Sequence, residues 1–163
     1  MICILLLSSF VFAEDVTFDD LLQLQGSQDD EIYVFLTAKE WRYSGANNDE
    51  RSGYQETIWS YAPIKKDAPV HWISIFRKED APLRVSYMFG GEKLFAAMTQ
   101  SLKAKTFILI DEEVTDASLF FVYSDTKMTV TVLVERRFPT PWYCITIYDK
   151  KDYITLGVKN HQK

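Results

Sequence analysis

The chain has 163 residues, of which 47% are hydrophobic and 15% aromatic. This length and composition suit one globular domain with a packed interior. The formal net charge of −5 at pH 7 argues against non-specific binding to nucleic acid, because gripping the phosphate backbone requires clustered Lys and Arg.

Residues 1–13, MICILLLSSFVFA, carry no charged side chain and are almost entirely apolar. Val11 and Ala13 occupy the −3 and −1 positions before Glu14, as an A-x-A-like cleavage site requires, so the segment is predicted to be a secretory signal peptide. The usual Lys or Arg before the apolar run is missing, and the alternative is a buried first strand or helix of the domain. The segment is too short to span a bilayer, and no stable membrane span is predicted.

Cleavage at this site would leave Cys144 as the one cysteine of the mature chain, so no internal disulfide is expected. Cys144 lies in the apolar stretch WYCITIY and is predicted to be a small buried hydrophobe rather than a nucleophile.

Two helices are predicted at the start of the mature chain. Thr17 and Asp20 resemble a capping box for a helix over 17–25. Ser27 and Asp30 repeat the signal for a second helix. A polar loop then follows, and the next elements are three alternating strands; the loop covers 45–53 and the strands cover 54–62, 70–77 and 83–89.

The second half opens with a predicted helix over 92–103. A short apolar run follows, and then three acidic residues return the chain to solvent. Three more strands and a polar tail from Lys150 complete the chain. The bounds are 106–110 for the apolar run, 111–113 for the acidic residues, and 118–123, 128–135 and 142–148 for the strands.

The two halves repeat the same order of elements. FLTAKEW (35–41) and SLKAKTF (101–107) each end a helix-like stretch and precede three strand-like segments. We therefore predict an α+β fold, a tandem repeat of a unit with two helices and three antiparallel strands, with the helices packed on one face of a curved antiparallel sheet. The predicted boundaries are 1–13 for the signal peptide, 14–91 and 92–150 for the two units of one globular domain, and 151–163 for a polar C-terminal tail.

Aromatic side chains recur along the predicted strands. Tyr and Trp suit a surface that is apolar on one side and exposed on the other. One hypothesis is an aromatic sheet face that binds a protein partner. The alternative is that the same rings are core residues and cross-strand pairs. The candidate partner-binding residues are Trp59, Tyr61, Trp72, Tyr87, Tyr123, Trp142 and Tyr148.

No motif indicates catalysis. His71 begins a strand and His161 lies in the tail, and there is no Cys pair, so no metal site is predicted. No nucleophile elbow or phosphate loop is present, and no catalytic residue or cofactor is predicted. The acidic residues 111–113 and Asp125 are interpreted as solvated turns. Arg136 and Arg137 are interpreted as a solvated hairpin rather than a site for a carboxylate or phosphate.

The order of elements over 17–148, with FLTAKEW and SLKAKTF as its best local echoes, resembles the architecture of the β-lactamase inhibitory proteins. One copy of the unit is similar to the small outer-membrane-assembly lipoprotein fold. The resemblance implies a tandem-repeat fold and carries over no functional residue, because the disulfides of the inhibitor are absent here.

These observations predict a non-catalytic, exported protein, periplasmic or extracellular, that binds a protein partner of unknown identity as an inhibitor or scaffold. The alternative is a small-ligand or lipid-binding protein with an apolar pocket between helices and sheet. A hydrolase is the third hypothesis.

Overall fold

A computed structural model describes residues 16–49, 53–61 and 70–156. The predicted signal peptide at 1–13 lies outside these residues. The helices are α1 (Phe18–Gln25), α2 (Asp29–Ala38), α3 (Glu92–Lys103) and α4 (Lys150–Thr155). The strands are β1 (Arg42–Asp49), β2 (Tyr54–Tyr61), β3 (His71–Lys78), β4 (Ala81–Gly90), β5 (Ile108–Val114), β6 (Ser118–Ser124), β7 (Met128–Glu135) and β8 (Trp142–Asp149).

The eight strands form a single antiparallel sheet in the order β1-β2-β3-β4-β8-β7-β6-β5. Each half of the sheet is a meander of four strands. The last strands of the two meanders, β4 and β8, are neighbours, with Tyr87 opposite Ile145 and Met88 opposite Cys144. The centre of the sheet is therefore made by residues far apart in the chain, and β1 and β5 form its two edges.

Local sequence signals account for the first helix. The Thr17 backbone N–H donates to Asp20 Oδ2 at 2.8 Å, and the Asp20 N–H donates to Thr17 Oγ1 at 3.2 Å. This reciprocal pair satisfies two donors that the first helical turn cannot use internally, and the predicted capping box is confirmed.

The core lies between α1, α2, α3 and one face of the sheet. Phe18 and Leu21 from α1 are fully buried together with Ile73, Tyr87 and Ile145 from the central strands. Removing a large apolar side chain from water contributes about 1.5–3 kcal/mol of stabilisation, so these contacts supply the main attraction between helices and sheet.

Helix α4 lies on the opposite face of the sheet. Successive side chains of a strand point to opposite faces, so Arg84 points away from the core that its neighbour Val85 enters. Arg84 contacts Asp152 of α4, and Tyr148 contacts Tyr153 of the same helix. We call this second face of the sheet the outer face.

The predicted fold class is wrong. The prediction was a repeated unit of two helices and three strands, with the helices packed on one face of a curved sheet. The described residues instead form one eight-stranded antiparallel sheet and four short helices. The first helices α1 and α2 precede four strands, only α3 precedes the next four, and α4 lies on the outer face.

The error arises at the two edge strands. β1 includes part of the segment predicted as a loop over 45–53, and β5 includes the acidic residues predicted to return the chain to solvent. Gly, Asn, Asp and Glu are poor strand formers, but β propensity depends strongly on the neighbouring strand. Here the pairing of β1 with β2, and of β5 with β6, overrides the local preference.

Candidate functional site

A group of large side chains lies on the outer face near the β4–β8 junction. Trp72, Met88 and Cys144 occupy adjacent positions across β3, β4 and β8, and Leu133 follows on β7. Their sequence neighbours Ile73, Tyr87 and Ile145 enter the core. The alternation of the strands therefore places this group on the side that α1, α2 and α3 leave uncovered.

The group surrounds a depression of about 360 Å³, which we call the tryptophan trough. The ring centroids of Trp72 and Trp142 lie 5.4 Å apart with an interplanar angle of 37°. Met88 is 43% exposed and Phe138 is 54% exposed, although both are apolar. The trough is lined by Trp72, Met88, Leu133, Glu135, Arg137, Phe138, Trp142, Tyr143 and Cys144.

A second depression of about 330 Å³ adjoins the trough and shares Trp72 and Met88 with it. Ser74 and Ser86 line this part, and the Ser86 hydroxyl lies 2.9 Å from the Thr146 hydroxyl and 3.3 Å from Cys144 Sγ. Small hydroxyl side chains thus lie beside the large apolar ones. The combined surface offers apolar contact area with a few polar groups next to it.

An ion pair borders the trough. Arg137 Nε donates to Glu135 Oε1 at 2.8 Å and Arg137 Nη2 donates to Glu135 Oε2 at 2.7 Å. These hydrogen bonds lower the pKa of Glu135 to about 2. The bidentate geometry occupies both carboxylate oxygens, so this part of the rim has no net charge at neutral pH.

The other end of the outer face is closed by α4. The Arg84 guanidinium lies 4.3 Å from the ring centroid of Tyr54, 5.2 Å from Phe76 and 5.1 Å from Tyr148. Asp152 of α4 places Oδ2 at 3.7 Å from Arg84 Nη2 and accepts a hydrogen bond of 2.5 Å from the Tyr54 hydroxyl. This cation is enclosed by rings and a carboxylate, whereas the tryptophan trough is open.

Burial also affects the tyrosines beneath α4. Desolvation raises the pKa of Tyr148. It also raises the pKa of Tyr54, and the hydrogen bond with Asp152 raises that pKa further. Both phenols therefore stay neutral over a wider pH range than a solvated tyrosine.

The structure brings together two of the seven predicted partner-binding aromatics, Trp72 and Trp142. Tyr148 lies on the same face but beneath α4. The other four lie on the face covered by the helices: Trp59, Tyr61, Tyr87 and Tyr123.

The four aromatics on the covered face pack against core residues. Tyr87 is fully buried and its hydroxyl lies 3.0 Å from His71 Nδ1. The Trp59 ring packs edge to face against Tyr33 and Tyr43. For these residues the alternative interpretation as core and cross-strand pairs agrees with the observed contacts.

Met88, Leu133 and Phe138 also line the trough but are not among the residues predicted from the sequence. Alternation from Trp72 and Trp142 places residues on a face within one strand, but it does not reveal which strands are neighbours. Cys144 was predicted as buried and is half-buried in the trough wall. Arg137, considered as a carboxylate ligand, binds a carboxylate of its own chain, Glu135.

The described part of the chain contains no group of three or more His, Cys, Asp or Glu side chains placed to hold a metal ion. Within the same residues, no helix combines the length and apolar character needed to cross a bilayer.

No protein-family model matches the chain, and neither the curated proteins nor the solved structures include a significant match. The resemblance to the β-lactamase inhibitory protein architecture stays a prediction.

Proposed function

We propose that the protein is a non-catalytic binding module that holds an uncharged aromatic or long aliphatic side chain of a partner protein in the tryptophan trough. The single observation that carries the proposal is the cluster of half-buried Trp72 and Trp142 with exposed Met88 around a depression of about 360 Å³.

The side chains of the trough support a protein partner. Trp, Phe and Met are enriched in the centres of protein interfaces, and Trp is the most frequent energetic hot spot. Exposed Met88 and Phe138 extend the apolar surface beyond the two indole rings. A partner side chain inserted between these groups would displace water from several of them at once.

The charges around the trough support an uncharged anchor. Glu135 and Arg137 neutralise each other through two short hydrogen bonds, so neither is available to pair with a charged group without losing its present partner. The hydroxyls of Ser74 and Ser86 lie beside the trough, where they can bind polar backbone groups next to the anchor.

The alternative small-ligand function was expected to use a pocket between helices and sheet. Fully buried side chains of both layers fill that region, among them Phe18, Leu21 and Tyr87. The trough volume is nevertheless within the range of about 300–1,000 Å³ that small-molecule sites occupy. A small apolar ligand is therefore a competing occupant that the experiment must distinguish.

We also propose that the protein is exported and works in a periplasmic or extracellular compartment, as an inhibitor or a scaffold. The support is the apolar segment 1–13 with its Val11 and Ala13 cleavage pattern.

The binding proposal is tested by selecting a displayed library of random peptides on the immobilised protein. We expect the enriched peptides to share an uncharged aromatic or long aliphatic residue. Their affinity should fall by at least about tenfold in Trp72→Ser and in Trp142→Ser, because truncating a central anchor contact typically costs more than 1.4 kcal/mol. Tyr33→Ser serves as the control, since Tyr33 is exposed on α2, away from the trough.

Two results would contradict the proposal. Enriched peptides that bind the tryptophan variants as well as the wild type would place the site elsewhere, and failure of any peptide to enrich would count against a protein partner. Saturable binding of the dye anilinonaphthalene sulfonate that is lost in Trp72→Ser, without peptide enrichment, would favour the small-ligand alternative.

A further inference from the structure

The edge strand β5 is distant from the tryptophan trough and combines two unusual features. It is the last strand of the sheet, so one of its long edges faces away from β6, and no described strand lies beyond it. Such an edge carries backbone donors and acceptors oriented for another strand. The first feature is therefore a position at which a strand of a partner could be added.

The second feature is the exposure of large apolar side chains on this edge. Exposed fractions on β5 reach 66% for Ile108 and are 48% for Leu109, 47% for Ile110 and 65% for Val114. The opposite edge strand, β1, has the sequence RYSGANND and is interrupted by a bulge between Tyr43 and Gly45. Proteins commonly protect their edges with charged residues and bulges, and β5 has both, but it exposes four large apolar side chains where β1 exposes one, Tyr43.

The charges of β5 indicate whether a second copy of this chain or a different protein is the better partner for the edge. Asp111, Glu112 and Glu113 occupy the middle of the strand, which contains no Lys or Arg. Antiparallel pairing of two β5 strands would bring both acidic triplets into one seam, and like charges on paired strands are destabilising. A strand that carries Lys or Arg would instead bring opposite charges beside Asp111 and Glu112.

The bulge between Leu109 and Asp111 distributes these side chains over both faces of the sheet. Leu109, Glu112 and Val114 lie opposite Tyr123, Phe121 and Leu119, whose side chains contact the core. The other face of β5 carries Ile108, Asp111 and Glu113. Each face therefore combines apolar with acidic side chains, so a complementary strand needs both apolar and basic residues.

We propose that β5 accepts an extended, basic segment of a partner protein as an additional strand of the sheet. Backbone hydrogen bonds along the edge provide affinity, and pairing of Lys or Arg with Asp111 and Glu112 provides selectivity. This surface is separate from the trough, and the proposal does not depend on the function assigned to the trough.

The test uses three synthetic peptides of the same length. The first repeats Lys-Lys-Val-Val, so that both faces of the strand carry Lys and Val. The second has Glu in place of every Lys. The third repeats the first sequence with N-methyl groups on consecutive residues, which removes backbone donors from both edges. Binding is measured by fluorescence polarisation, and hydrogen exchange by mass spectrometry locates the contact. We expect the first peptide to bind and to slow exchange in 108–114 but not in β1.

We expect the second and third peptides to bind at least about tenfold more weakly than the first. The double variant Asp111→Lys/Glu112→Lys should prefer the Glu peptide. Asp116→Lys is the control, because it changes an exposed acid outside the strand. Tryptophan fluorescence in urea checks that each variant is folded.

Several outcomes would overturn the proposal. Equal binding of the N-methylated peptide would indicate attraction by charge alone, and exchange protection outside β5 would place the peptide elsewhere. Failure of the Lys peptide to bind would remove the charge argument. A wild-type dimer in sedimentation at neutral pH, with exchange protection at β5, would identify a second copy as the occupant.

Discussion

Helix α4 is expected to be held on the sheet mainly by Asp152, and the substitution Asp152→Ala tests this directly. The carboxylate is 7% exposed, accepts the Tyr54 hydroxyl at 2.5 Å and lies 3.7 Å from the Arg84 guanidinium. Removing it takes away one charge-assisted hydrogen bond and leaves a largely buried cation without its counter-ion.

The magnitude follows from these distances. At an effective dielectric constant of about 20, two unit charges 3.7 Å apart attract by about 4.5 kcal/mol, much of which offsets the cost of removing both charges from water. Deleting one partner of a buried pair typically costs about 3–5 kcal/mol. Because Tyr54, Phe76 and Tyr148 continue to surround Arg84, with each ring contributing about 0.5–2 kcal/mol, we expect a loss near 3 kcal/mol.

The free energy of unfolding is measured by urea denaturation with tryptophan fluorescence, and hydrogen exchange reports the docking of α4. Ile154→Ser on the exposed side of the same helix is the matched control and should change stability by no more than about 0.5 kcal/mol. The double variant Arg84→Met/Asp152→Leu should lose much less than the sum of its single variants. A loss below about 1 kcal/mol in Asp152→Ala would refute the proposed role of this carboxylate.

Three further predictions concern ionisation and processing. Arg137→Gln should raise the pKa of Glu135 from about 2 towards 4.5, as measured by carbon NMR of the carboxyl group. In the wild type, the stabilisation by this ion pair is present above pH 4.5 and is lost as the pH falls towards 2. The free energy of unfolding should decline as pH rises above 10, because burial raises the pKa of Tyr148 in the folded state and the unfolded tyrosine ionises first. Tyr148→Phe should lessen this decline, and an unchanged slope of unfolding free energy against pH would contradict the assignment. Mass spectrometry of the exported protein should give a chain that begins at Glu14, and retention of Met1 would contradict the predicted cleavage.

The sequence was sufficient to predict the interior strands and insufficient for the edges. The segment 70–77 alternates clearly because one of its faces enters the core, and it corresponds closely to β3 at His71–Lys78. β5 has no such alternation, since its side chains are exposed on both faces. An edge strand is specified mainly by hydrogen bonds to its neighbour, and a pattern of side chains within the strand does not record them.

The candidate site was predictable only in part for a related reason. Trp72 and Trp142 were identified as aromatic strand residues, but the contact between their rings requires β4 to pair with β8. Periodicity assigns residues to faces without specifying which strands are adjacent. It also does not decide which face the helices cover when both faces are rich in apolar residues, so it could not show that Trp59 and Tyr87 are buried beneath the helices.

The two proposed surfaces should act independently. The trough draws on β3, β4, β7 and β8, and β6 separates its nearest strand from β5, which corresponds to about 10 Å at the usual strand spacing. Effects of substitutions at this separation are usually additive. Trp72→Ser should therefore change the affinity of the Lys peptide by no more than about twofold, which is about 0.4 kcal/mol. A larger loss would mean that this peptide crosses the outer face, and the edge would then no longer explain its binding.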